Sequence, residues 1–240
     1  MIFSETFLQN INFDRTIESG FCWDYKTKER MKNEKALEQY GYKVYSQNDE
    51  DGIIHEIFRR IGTTNKVFIE FGVQNGLESN CHLLLHYGWS GLFLEGSEEY
   101  CDEIKMRFKP VVDSGRLKVQ NAFITKDNIN ELFAKNRFFG EIDLLSIDVD
   151  GNDFYIWEAI DSVSPRVVII EYNGKFPPDL DWKQAYNEKH VWDGSDWHGA
   201  SLKSLELLGT KKGYALVGTD IRGVNAFFVR SDIYGGGYSF

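Results

Sequence analysis

The chain has 240 residues, 37 of them Asp or Glu against 27 Lys or Arg, for a formal net charge of −10. That balance argues against a nucleic-acid substrate, because phosphate recognition needs a basic footprint. With 42% hydrophobic and 27% charged residues and only four prolines, the sequence fits one large α/β domain with a full core.

Cys22, Cys81 and Cys101 make no CxxC pair and no zinc spacing. They are expected to be reduced thiols of a cytoplasmic protein. The opening residues Met1 to Glu5 carry neither a basic nor an apolar leader region, so no signal peptide is expected. The apolar runs are far shorter than a membrane span. Residues 1–45 are polar and aromatic, with a basic stretch from Lys26 to Lys32, and read as an N-terminal helical extension or lid. Residues 46–240 read as the main domain. Such an extension leaves homodimerisation open.

Ile53, Ile54, Ile57, Phe58 and Ile61 recur at helical spacing and predict a helix over 49–61, with Asn48 or Asp49 as its N-cap. Strands and helices then alternate. Strands are expected at 67–71, 91–95, 117–122, 142–149 and 167–171, with helices at 80–87, 98–108, 128–134 and 153–160 between them. Spacings of this kind mark βαβ units, and near-continuous apolar strands mark a parallel sheet buried on both faces. The end differs: a helix over 200–208 precedes strands 214–218 and 224–229, which are separated only by a turn and read as an antiparallel hairpin. The expected fold is therefore α/β and Rossmann-like, a mostly parallel seven-stranded sheet closed by a C-terminal hairpin, as in class I methyltransferases. A nicotinamide dehydrogenase is disfavoured because no GxGxxG follows the first strand.

In open α/β sheets ligands sit beyond the carboxyl ends of the strands. The first strand ends Glu70-Phe71-Gly72-Val73-Gln74-Asn75-Gly76, a turn whose glycines permit close backbone approach to a ligand. The second ends Glu95-Gly96-Ser97, about twenty residues on, where an acid can accept from both hydroxyls of a ribose. The third ends Asn121-Ala122-Phe123, polar then apolar, suited to the edge and face of an adenine. The fourth ends Asp148-Val149-Asp150-Gly151-Asn152-Asp153. Asn152 or Asp153 is expected to cap the next helix. Capping leaves Asp148 and Asp150 unexplained, and carboxylates this crowded call for a proton or a hard cation, Mg²⁺ or Mn²⁺. Glu171, ending the fifth strand, would face Asp148, and His198, in a glycine-flanked loop, would serve as a metal ligand or general base. Trp182, Trp192 and Trp197 mark the 174–199 insert as an acceptor-binding loop on which a sugar ring can stack; ordinary aromatic packing is the other reading.

These strand ends resemble those of bacterial methyltransferases related to the FkbM type, found with polysaccharide-biosynthesis enzymes. The likeness covers roughly residues 44–230. It rests on Tyr45 to Ile54, Ile69 to Gly72, Leu144 to Asp153, Glu171 to Asn173, His198 to Leu202 and Gly223 to Val229. It implies S-adenosylmethionine as cofactor and S-adenosylhomocysteine as product. Contacts are implied from Gln47, Glu70, Gly72, Asn75, Glu95, Ser97 and Asn121, with Gly96, Ala122 and Asp148 in the same strand exits. It further implies a sugar or a sugar- or phosphate-linked acceptor of capsule or lipopolysaccharide. The expected reaction is O-methylation assisted by Mn²⁺ or Mg²⁺ held by Asp148, Glu171 and His198, with Asp150 as ligand or base. The alternatives are a metal-independent methyltransferase acting on a small metabolite or a protein side chain, and a catalytically silent binding member.

Overall fold

The computed structural model describes residues 33–234. The basic stretch 26–32 and most of the expected N-terminal extension lie outside the described residues. What is described of that region is a 3-10 turn, Leu37–Tyr40. Its Leu37 is fully buried, packed beside Gly218.

The alternation expected from the sequence is present. In chain order the elements are α1 (Glu50–Ile61), β1 (Val67–Phe71), α2 (His82–His86), β2 (Ser90–Glu95), α3 (Glu98–Arg107), α4 (Lys109–Asp113), β3 (Leu117–Asn121) and α5 (Ile129–Lys135). There follow β4 (Gly140–Ile147), α6 (Asp153–Ala159), β5 (Val163–Glu171), α7 (Leu202–Lys212), β6 (Tyr214–Thr219), β7 (Asn225–Arg230) and α8 (Ser231–Tyr234). The seven strands form one sheet in the order β3-β2-β1-β4-β5-β7-β6. β1 to β5 run parallel, and β7 is antiparallel to both β5 and β6, so the hairpin closes the sheet as expected.

Side chains alternate across each strand, so an unbroken apolar run feeds two cores. Phe68, Phe93, Leu144, Val167, Ile169 and Phe227 pack on one face, against Ile53 and Ile57 of α1 and Ile104 of α3. Ile69, Leu92, Leu145, Val168, Ile170 and Phe228 pack on the other, against Phe133 of α5, Trp157 of α6 and Leu205 of α7.

Several boundaries differ from the expected ones for local reasons. The helix expected over 80–87 is only α2, and the N–H groups of Asn80 and Cys81 just before it are taken by the Glu70 carboxylate. α7 runs on to Lys212, where Gly213 at φ 83° caps it in the left-handed conformation. α4, with Pro110 in its first turn, is an added element. Neither Asn48 nor Asp49 caps α1 through its side chain. The Asp49 carboxylate instead accepts from Ile221 N–H at 3.0 Å, and burial pushes it up to about 7.

At the opposite edge of the sheet from the strand exits, Asp143 of β4 is fully buried. It accepts from the backbone N–H groups of Thr64, Asn65 and Lys66 and from Arg166 of β5 at 2.8 Å. Arg166 also donates to the carbonyls of Ile61 and Gly62. One ion pair thus fastens the α1–β1 connection to the two central strands. Asp143→Ala leaves the guanidinium buried without its partner and is expected to cost about 3–5 kcal/mol. Urea denaturation of the variant against the wild type measures it, and a loss under about 1 kcal/mol, the scale of a surface pair, contradicts this role.

Candidate active site

Beyond the carboxyl ends of β1 to β5 lies a cavity of about 660 Å³. Its walls come from every strand exit and from the 174–199 insert. Gly72 and Gln74 follow β1, Leu94, Glu95 and Gly96 close β2, Ala122, Phe123 and Ile124 follow β3, and Asp148 to Asp150 follow β4. Glu171 ends β5, Gln47 enters from the segment before α1, and His190, Val191, Trp192 and His198 come from the insert.

The first turn depends on a glycine. Gly72 adopts φ 63°, and a Cβ there would lie 1.8 Å from the Asp148 carbonyl oxygen, so β1 and β4 exits pack backbone against backbone. Gln74 continues the turn at φ 47° and donates its N–H to Glu95 at 2.8 Å. The other Glu95 oxygen accepts from Ser97 N–H at 2.9 Å. Two of the carboxylate's roughly four lone-pair sites are thereby filled, and Glu95 still lines the cavity.

The expected cofactor residues divide into two groups. Gln47, Gly72, Glu95, Gly96, Ala122 and Asp148 line the cavity. Glu70, Asn75, Ser97 and Asn121 stand behind it and shape the walls. The Glu70 carboxylate is buried, accepting from Ser79 Oγ at 2.6 Å and from the N–H groups of Asn80 and Cys81. Asn75 accepts from Leu77 N–H and closes its own turn. Ser97 caps α3 by accepting from Tyr100 N–H, and Asn121 donates to the carbonyls of Glu95 and Gly96.

The fourth exit brings the acids together. Asp148, Asp150 and Glu171 each place a carboxylate oxygen within 4.8 Å of the others'. Burial, then mutual repulsion, pushes the Asp148 and Glu171 carboxyls well above the usual range. Neither candidate cap of α6 bonds as a cap. Asn152 occupies the N-cap position without a side-chain cap bond. Asp153 instead folds back to accept from the N–H groups of Val149 and Gly151 at 2.9 Å, and burial raises it to about 6. Asp150 sits at φ 55°, held there by that tight turn.

His198 lies outside the three-carboxylate cluster but lines the same cavity. Burial, then the Lys175 charge, holds its imidazole below the usual range, which keeps it neutral at neutral pH. Its loop is clamped by Asn173, whose side-chain amide donates to the carbonyls of Asp196 and His198. Of the three tryptophans of the insert only Trp192 reaches the cavity, its ring 5.7 Å from that of His198. Trp182 and Trp197 pack instead with Phe176. Tyr100 and Val191, for which sequence patterning gave no signal, and His190, for which it gave a weaker case than for His198, also line the cavity.

No family model matches the chain, and no curated protein matches its sequence. Solved structures do match the fold. One is an O-methyltransferase from Bacillus cereus in complex with S-adenosylhomocysteine: TM-score 0.50 and 14% identity, over 85% of this chain and 94% of that one. Another is a candidate caffeoyl-CoA O-methyltransferase from Staphylococcus aureus: TM-score 0.51 and 12% identity, over 88% and 98%. The chain therefore has the Rossmann-like class I methyltransferase fold expected from its sequence. Among the described residues no helix is long and apolar enough to cross a membrane.

The crowding of acids has a measurable cost. A carboxyl raised in the folded state stabilises only while protonated, so its contribution is lost as pH rises through the folded value. Asp148→Asn lacks that loss. The variant is expected to be more stable than the wild type at pH 8, with an advantage that shrinks toward pH 5, by at most about 1.4 kcal/mol per pH unit. Thermal unfolding of both proteins across that range, with EDTA present, checks the sign, and an advantage that grows toward low pH contradicts it.

Proposed function

We propose that the protein is an S-adenosylmethionine-dependent O-methyltransferase acting on a sugar or sugar-linked acceptor, assisted by a divalent metal ion. The observation that carries this reading is the division of one cavity into two ends. One end has Glu95 with free lone pairs, Gly96 without a side chain, and the apolar wall Ala122, Phe123 and Ile124. A Cβ on Gly96 would meet only Phe123, at 3.9 Å, so the space beside Glu95 stays open. A ribose with an adenine fits these residues: its hydroxyls donate to Glu95, and its base lies on the apolar wall. The other end has the carboxylates and His198.

S-adenosylmethionine supplies, when bound, a methyl group activated by its sulfonium. The protein's share is orientation and proton handling. A hydroxyl is a weak nucleophile at neutral pH until its proton is taken. Neutral His198, whose buried Nδ1 has no hydrogen-bond partner among the described residues, is the base in this reading. Asp148, Asp150 and Glu171 offer the hard oxygen donors that Mn²⁺ or Mg²⁺ prefers, and a cation among them would offset their repulsion and acidify a coordinated hydroxyl. Trp192, half exposed beside His198, offers an indole face to a sugar ring. The polysaccharide context rests on the sequence resemblance alone.

Isothermal titration of S-adenosylhomocysteine into the protein tests the central claim. Binding is expected both in EDTA and in Mn²⁺, with a separate Mn²⁺ heat that Asp148→Asn removes. Absence of S-adenosylhomocysteine binding in both conditions overturns the methyltransferase reading; binding without any Mn²⁺ heat overturns only the metal.

A further inference from the structure

The 174–199 insert is tied down closely at its base. Trp182 and Ser201 exchange hydrogen bonds, Lys183 bridges Ala200, and the Gln184 N–H and Gly199 C=O pair at 2.9 Å. Farther out, the Asn152 side chain holds both backbone groups of Asn187, and Tyr155 donates to the Gln184 carbonyl at 2.7 Å. Against that order, several of its side chains end on buried polar atoms with no partner among the described residues, including Gln184 Nε2, His190 Nε2 and His198 Nδ1. The Gln184 amide cannot be turned to hide the problem. Its Oε1 accepts from Gly199 N–H at 3.0 Å, so the unmatched group is the NH₂ donor.

Two of these atoms meet at one place. The point that a Cβ on Gly151 would occupy lies 2.8 Å from both Gln184 Nε2 and His190 Nε2. Gly151, at φ 134°, is the residue between Asp150 and Asn152, so the unmatched pair adjoins the acidic wall of the cavity, and His190 itself lines that cavity. Buried polar atoms left unmatched are costly, and a fold retains them where a guest supplies the missing partner.

We infer that Gln184 and His190 are acceptor-binding residues that hold an oxygen of the methyl acceptor beside Gly151, and that this site takes a neutral hydroxyl-bearing acceptor rather than an anion or an amine. The inference rests on the methyltransferase reading above and narrows its acceptor chemistry. The insert presents the Gln184 NH₂ donor with the His190 ring nitrogen beside it, and the strand exits present carboxyls, so a guest between them must accept on one side and donate on the other. Hydroxyl groups do both. A carboxylate or phosphate only accepts, so it has no proton to give the acidic wall of Asp148, Asp150 and Glu171. An ammonium only donates and leaves the Gln184 amide unmatched. Because both nitrogens are covered in the present arrangement, the guest enters with a small outward shift of the insert about its fastened base.

The test uses the full chain saturated with S-adenosylhomocysteine and carrying isotope-labelled histidine. Methyl glucoside, catechol, methyl glucuronide and methyl glucosaminide are titrated while the His190 and His198 ring resonances are followed. The neutral probes are expected to move both rings. His190→Ala is expected to weaken the binding of the neutral probes about tenfold, read on His198, with S-adenosylhomocysteine affinity and melting temperature unchanged; His190→Gln, which keeps a donor, restores most of it. Preference for the charged probes, unmoved rings with all four, or unaltered probe affinity in His190→Ala each overturns the inference. Failure of S-adenosylhomocysteine to bind would instead remove the methyltransferase reading on which it rests.

Discussion

A buried carboxylate accepting backbone N–H groups is the interaction on which this structure most depends. Asp51 gathers the amides of Val44, Tyr45 and Ser46 and so fixes the segment that carries Gln47 to the cavity. Glu70 holds Asn80 and Cys81, Glu95 holds Gln74 and Ser97, Asp153 holds Val149 and Gly151, and Asp220 holds Arg222, Val224 and Asn225. A turn leaves amides without a ladder partner, and an ionised acceptor satisfies two or three at once more strongly than a neutral group does. Five of the chain's 37 acidic residues thus shape loops in this way.

That solution has an electrostatic consequence. Every acid used to fix a turn at the strand exits adds to the negative potential there. Glu70 and Asp153 both oppose ionisation of Asp148, with Asp150 adding to the same effect. At the other edge of the sheet, Asp143 meets no such crowd, and Arg166 together with three amides keeps its carboxyl below the usual range. The same chemical device therefore yields an ordinary ion pair at one edge and, at the other, buried carboxyls whose neighbours oppose their ionisation. At the second edge Asp148, Asp150 and Glu171 line a cavity, where a cation or a hydroxyl proton is a favourable neighbour.

The sheet was readable because burial on both faces and strand length leave their mark in residue order: Val67 to Ile69 and Val167 to Ile170 are unbroken apolar runs followed by an acid. The exits of these strands were also readable as the ligand edge, since the fold places every ligand there. Which side chain faces the cavity was not. Glu95 and Asn121 are both polar residues at strand ends, yet one lines the cavity and the other is consumed by the Glu95 and Gly96 carbonyls. Asn173, two residues from Glu171, turned out to clamp the His198 loop. Residue type reports what a group can bond to, whereas the partner is chosen by the path of a distant loop. His190 shows the limit most plainly. It lies in an irregular segment with no periodicity, and it comes to Gly151 only because Asn152 fastens Asn187.

The irregular insert, more than the sheet, is where this chain's chemistry is decided. The fold is similar to that of methyltransferases at 12% and 14% identity, and a fold held in common at that distance does not fix which ligand it takes. The charged side chains that the strand exits bring to the cavity are all carboxylic, those of Glu95, Asp148, Asp150 and Glu171. A cavity walled by acceptors alone would suit a cation and little else. By laying an amide, two imidazoles and an indole across the acidic wall, the insert converts it into a site with donors and acceptors opposed. The DVDGND turn from Asp148 to Asp153 serves both halves: Asp148 and Asp150 belong to the acidic wall, Gly151 leaves room for Gln184 and His190, and Asn152 fastens the insert over them. A six-residue turn that builds one wall and anchors the opposite one ties acceptor recognition to the same backbone that positions the acids.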